Sequence, residues 1–283
     1  MEIKRLRNSK FWLWAIAIGL GLINLDLSWK LVGNFDKLTI SSLFWAAIVY
    51  LLWQKRHTLN TESDVFSSVF GFLIITTILF KSISLFWFES FYIKLSALLS
   101  FLGLSLIASG IKGLKQYKEE FILLLILLFP DLIESLISQN LNISELAAKF
   151  TNFIFWYLGF NVSRQGIDVI LPTGTIEIYD GCSGLGAIVT LLQLALIVIV
   201  VLSLSIGKKV LVVITAITLA FTINTFRLIL MALLVASHNR QGFEYWHGPP
   251  GTEIFSTISI VAFGFFCYFY LQQKKPELEN LPE

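Results

Sequence analysis

The chain carries apolar runs that have no polar face. FILLLILLF at 121–129 and LALIVIVVL at 194–202 hold neither a charge nor an amide. A helix lying on a soluble core shows polar residues at the helical period, and these runs offer water nothing at any phase. The composition agrees: 56% of residues are hydrophobic and 14% charged, where a soluble domain carries about 25% charged residues. The mean hydropathy is +0.76. These features predict an all-α polytopic membrane protein. The net charge of +2 says little about partners. The Lys and Arg residues sit in short clusters between apolar runs, not along one face, which argues against nucleic acid.

About eight spans are expected, over 11–27, 40–54, 65–80, 91–111, 120–137, 184–206, 209–237 and 252–271. Each approaches the ~20 residues a bilayer core needs, the second and third being short. The third reaches Trp87 if it is tilted. The basic start of the chain is followed by no small-residue cleavage site, so a retained first helix is expected. Basic residues recur at every second connection: Lys4, Arg5, Arg7 and Lys10; Lys55 and Arg56; Lys112, Lys115 and Lys118; Lys208 and Lys209; Lys274 and Lys275. The positive-inside rule makes that side cytoplasmic, with both termini inside and the other loops exported.

The longest exported segment runs from about 138 to Cys182. NISELAAKFTNFIFWYLGF spaces its apolar residues as an amphipathic helix on the membrane surface. In QGIDVILPTGTIEIYDGC, Ile176 and Ile178 alternate with Glu177 and Tyr179, while Pro172 and Gly174 mark a turn. That pattern predicts a short extended hairpin before the sixth helix.

This topology gathers reactive side chains on the exported side. Cys182 starts the sixth span, and NTFR in the seventh puts Asn224 and Arg227 on one face at i and i+3. Arg227 lies about ten residues, or about 15 Å, from the exported end of its helix. His247, in FEYWHGPPG, belongs to the next exported loop. A helix N-terminus and a neighbouring cation both favour a thiolate, and Cys182 is placed to have both. An imidazole can take the thiol proton and return it to a leaving amine. An Arg within a span costs about 2.5–3.5 kcal/mol on insertion scales, so it must face protein or water. There it can stabilise a thiolate or an oxyanion, or clamp a carboxylate.

Blander roles compete with each of these. Cys182 can be a small packing residue at a helix start. Arg227 can pair with Asp131 or Glu134 in the fifth span. His247 can be an interfacial loop residue. The three together on one face weigh against coincidence. LPTG at 171–174 looks like a sorting signal but reads better as a Pro-Gly turn. GCSG at 181–184 matches a rhomboid-type motif with Ser183 as nucleophile, although that class needs a His on a later helix and His247 is followed by Gly-Pro-Pro. Cys267, near the cytoplasmic end of the eighth span, is out of disulfide reach of Cys182.

LGFNVSRQGIDVILPTGTIEIYDGCSGLGAI, then NTFRLILM, then a downstream His, resembles the exosortase/archaeosortase family and is similar to its cyanobacterial branch. The resemblance is good from Pro130 to the end, and lies in hydropathy alone over the first four spans. It implies one integral membrane domain over 1–283, with four less specific helices to 120, a catalytic core over 121–272 and a polar cytoplasmic tail over 273–283. It implies Cys182 as nucleophile, Arg227 as stabiliser of negative charge and His247 as acid and base; Asn224 on the face of Arg227, and Asp131 and Glu134 as its ready partners, are expected in support. His238 is the substitute if the Pro-rich context of His247 misleads. The implied activity is an intramembrane cysteine transpeptidase, needing no metal or organic cofactor. It would cut exported proteins at a C-terminal Pro-Glu-Pro-like signal with an apolar span and basic tail, and transfer them to an acceptor. A rhomboid-like serine protease using Ser183 remains an alternative. So does a transporter or scaffold built on an ionic network of Asp131, Glu134 and Arg227.

Overall fold

A computed structural model describes residues 9–32, 35–83 and 90–272. The basic residues Lys4, Arg5 and Arg7, the extension to Trp87 and the tail with Lys274 and Lys275 lie outside the described residues. The elements are α1 (Ser9–Val32), α2 (Phe35–Lys55), α3 (Val65–Ile83), α4 (Ser90–Gly113), a 3-10 turn (Leu114–Tyr117), α5 (Lys118–Leu128), α6 (Pro130–Asn140) and α7 (Ile143–Tyr157). Strands β1 (Ser163–Gln165), β2 (Asp168–Leu171) and β3 (Gly174–Glu177) follow, then a 3-10 turn (Asp180–Cys182). Four helices complete the chain: α8 (Leu185–Val201), α9 (Ile206–Ala236), α10 (Arg240–His247) and α11 (Pro249–Gln272).

The protein is a helical, multi-pass membrane protein. Among the described residues, six helices are long and apolar enough to cross a bilayer, and Leu185–Val201 is a shorter apolar helix. The expected spans 91–111 and 120–137 are redistributed. Phe91–Leu128 forms one apolar stretch of 38 residues, kinked at Gly110, whose φ of 64° and ψ of −180° leave the helical region. The expected fifth span then breaks at Pro130, which opens α6. A proline has no N–H and clashes with the preceding turn, so it fits a helix start and not an interior. Beyond it PDLIESLISQN is amphipathic, with no buried residue.

The chain forms two compact units, Met1–Pro130 with Val200–Leu202, and Asp131–Ile199 with Ser203–Glu283. In the first, α3 and α4 touch backbone to backbone where glycines meet: a Cβ on Gly71 would stand 2.5 Å from the Gly103 carbonyl oxygen. Small residues let helices approach closely where lipid gives them little hydrophobic drive. Asn24 on α1 ties three helices together. Its Nδ2 donates to Ile93 O at 2.9 Å, and its Oδ1 accepts from Trp45 Nε1 at 3.3 Å. Glu120, fully buried, is neutralised by Lys55 Nζ at 2.9 Å.

The second unit is built round the polar segment. Helix α7 is the expected amphipathic helix. Asn142 caps it by accepting from Glu145 N at 3.0 Å, and Ala147, Ala148, Thr151 and Phe155 form its buried stripe. The expected hairpin is real but has a third strand. The sheet is antiparallel in the order β1-β2-β3, with Gln165 opposite Asp168 and Leu171 opposite Gly174. Gly166 turns the first hairpin at φ 58°, a conformation glycine adopts freely. Pro172 and Thr173 turn the second, so LPTG is a turn. Val169, Leu171, Ile176 and Ile178 pack with Leu228, Met231 and Ala232 of α9 in one core that also holds Cys182.

Candidate active site

Cys182 ends the 3-10 turn after β3, where its N–H donates to Tyr179 O at 2.9 Å. It is 4% exposed. Gly184, at φ 90°, redirects the chain into α8. A side chain there would stand 2.7 Å from Asn224 Nδ2. Asn224 uses that proximity: Nδ2 donates to the Cys182 carbonyl at 3.0 Å, fixing the turn to α9. From the other side, Ser144 of α7 donates to Asp180 Oδ1 at 2.8 Å.

One turn further along α9, Arg227 is also buried. Its Nε donates to Trp246 O at 3.2 Å, and Nη2 donates to His247 O and to Thr252 Oγ1, both at 2.9 Å. Neither Asp131 nor Glu134 is among these partners. Cys182 and Tyr179 lie within the electrostatic reach of its guanidinium. Glu134 faces the start of α8, its Oε1 4.0 Å from where a Gly186 side chain would begin.

His247 ends α10. Its ring stacks on Phe243 at 5.2 Å, and Nε2 is 3.1 Å from the Tyr179 hydroxyl. The Pro-rich context is a helix boundary: Gly248 is extended, and Pro249 and Pro250 open α11, a position suited to proline. Gly251 packs on Trp246, whose carbonyl oxygen would stand 2.3 Å from a Cβ there.

Tyr179 joins these groups. Its hydroxyl is held above the ordinary phenol range, first by a hydrogen bond with the Cys182 sulfur, then by the charge of that sulfur and by desolvation, with Arg227 opposing. The sequence pattern assigns Tyr179 only to an alternating strand edge. The available signal was its place three residues before the cysteine, with Gly181 between. A Cβ on Gly181 would stand 2.7 Å from Tyr179 Cε2, so the glycine makes room for that ring.

The remaining candidates lie elsewhere or are committed to other bonds. Ser183 is 1% exposed; its hydroxyl donates to Asp180 O at 2.8 Å and accepts from Leu185 N at 3.2 Å. His238 takes the left-handed conformation at φ 54° that ends α9, where its N–H donates to Val235 O. Both Cys182 and Cys267 are free thiols.

Fold and cluster define a multi-pass membrane protein with a polar cluster of Tyr179, Arg227 and His247 near a buried thiol. The Transmembrane exosortase family model matches residues 33–264, and the chain belongs to that family. The match takes in α2 to α5 and the second unit as far as residue 264. Exosortases are membrane peptidases or transpeptidases that act on proteins bearing sorting signals. No curated protein and no solved structure matches the chain.

Proposed function

We propose that this exosortase is a cysteine transpeptidase of the plasma membrane, of the cyanobacterial branch, with its site on the exported face and both termini cytoplasmic. Its substrates are exported proteins ending in a Pro-Glu-Pro-like motif, an apolar helix and a basic tail. Cys182 attacks the peptide carbonyl as a thiolate, forming an S–C bond. The Arg227 guanidinium stabilises the oxyanion. Collapse breaks the C–N bond, and the amine leaves with the proton that His247 holds. An acceptor nucleophile then attacks the thioester, its proton passing to His247, and the C–S bond breaks to release the acyl product and the Cys182 thiolate.

One observation supports this: residues 182, 227 and 247 come from three separate segments linked by hydrogen bonds, from Cys182 N–H to Tyr179 O, between the Tyr179 hydroxyl and His247 Nε2, and from Arg227 Nη2 to His247 O. The two hydrogen bonds of Ser183 to its own turn favour the thiol over the hydroxyl as nucleophile. The three bonds of Arg227 to α10 and α11 weigh against an ionic network with Asp131 and Glu134 as its reason for burial.

The test is co-expression with a tagged membrane reporter carrying that C-terminal signal. Processing is expected in the wild type and in Ser183→Ala, and none in Cys182→Ala. Processing by Cys182→Ala that is lost in Ser183→Ala would overturn the cysteine mechanism.

A further inference from the structure

We propose that Tyr179 is a further catalytic residue, its hydroxyl carrying the proton between the Cys182 sulfur and His247 Nε2. The proposal rests on Cys182 being the nucleophile. Tyr179 Oη stands 3.1 Å from Nε2, and among the described residues the imidazole is hydrogen-bonded to that hydroxyl and not to the thiol. General acid–base catalysis needs a proton path of hydrogen-bond length, directly or through one bridging group. A phenol can accept and donate at once, so it can be that group.

The bookkeeping closes. The relay starts with the thiol S–H donating to Oη and the phenol O–H donating to Nε2. As the sulfur gives its proton to Oη, Oη gives its own to Nε2. The products are a thiolate, an unchanged phenol and an imidazolium. The hydrogen bonds now run the other way, Nε2–H to Oη and O–H to sulfur. On collapse of the tetrahedral intermediate the C–N bond breaks, Oη gives its proton to the leaving amine nitrogen, and Nε2–H gives its proton to Oη, which restores the neutral imidazole and phenol. The hydroxyl stays protonated throughout, in keeping with the sulfur's influence on it.

The phenol is held in register for this. Its ring lies over Gly181, and its backbone carbonyl accepts the Cys182 N–H. The imidazole stacks on Phe243, and Arg227 holds the backbone carbonyl of His247. Tyr179 is 48% exposed, so a substrate can reach its hydroxyl.

The test uses the full chain in membranes, in a Cys267→Ser background, so that iodoacetamide reports on Cys182 alone. The alkylation rate at pH 7.5 is compared for wild type, Tyr179→Phe, His247→Gln and the double variant, beside processing of the reporter. Tyr179→Phe keeps the ring and removes one oxygen. Each single variant is expected to slow alkylation about tenfold and processing about a hundredfold, with the double variant no slower than either, because groups acting in one chain are non-additive. Wild-type alkylation in Tyr179→Phe, or losses that multiply in the double variant, would overturn the relay and leave the cysteine mechanism standing. Reporter processing that survives Cys182→Ala would instead remove the mechanism on which the relay depends.

Discussion

The Tyr179 hydroxyl and His247 Nε2 stand 3.1 Å apart although 68 positions separate them in the chain. The end of β3 is thereby joined to the end of α10. Both rings have a backing surface, Gly181 under the phenol and Phe243 under the imidazole. The contact is therefore set by packing on two sides, and the chemistry of the site depends on that packing.

Gly181→Ala tests this dependence. Its methyl would meet the phenol ring at 2.7 Å. Because Tyr179 is half-exposed, the ring can swing outward at little cost in folding. Reporter processing should fall about tenfold, while the melting temperature in detergent changes little. Unaltered processing would show that the ring's position is immaterial.

A different outcome is expected at Gly184, where φ is 90° and Asn224 fills the space beside Cα. Gly184→Ala combines a left-handed penalty of about 1–2 kcal/mol with steric overlap. Gly159, at φ 84° with nothing within 4 Å, is the control. Gly159→Ala should lower the melting temperature less, and should leave processing intact where Gly184→Ala removes it.

Arg227→Lys keeps the charge and loses the geometry. An ammonium cannot present the planar fork that serves the Trp246 and His247 carbonyls together. Processing should drop by about 10²–10³-fold, the range for removing an oxyanion donor. Amide exchange at the start of α11 should quicken in the same variant. Full processing in Arg227→Lys would mean that charge alone suffices.

Acid should loosen the join between α7 and β1. The Glu145 carboxyl is held below its usual range, first by a hydrogen bond with Lys149, then by the charges of Lys149 and Arg164. Its folded value lies below the unfolded one. The stabilisation is therefore present above about pH 4.3, the ordinary glutamate value, and lost as pH falls through the lower folded value. Melting temperature measured from pH 6 to pH 3 should fall less steeply in Glu145→Gln than in the wild type, and added salt should shrink the difference.

The long helices were legible because apolar runs without a polar face leave few alternatives, and the buried stripe of α7 because its period is helical. Strand β1 was not: Ser163, Arg164 and Gln165 are polar and short, and become a strand only by pairing with β2. The division of the fifth expected span was written in Pro130, but hydropathy averages across one proline. Cys182, Arg227 and His247 could be proposed from residue type and topology. Their mutual geometry could not, because it depends on Tyr179, Asn224 and the Trp246 carbonyl, none of which has a reactive pattern of its own.

The paired prolines that open α11 have a consequence for the arginine. Were the helix continuous, the Trp246 carbonyl would look to the N–H four residues on, which is Pro250 and has none to give. Arg227 supplies that missing donor from another helix, and reaches the next carbonyl, that of His247, with the same guanidinium. Cation and imidazole are thus mechanically one part. Moving either drags the other, and a substitution at Pro250 that restored a backbone donor would compete with the arginine for its own anchor.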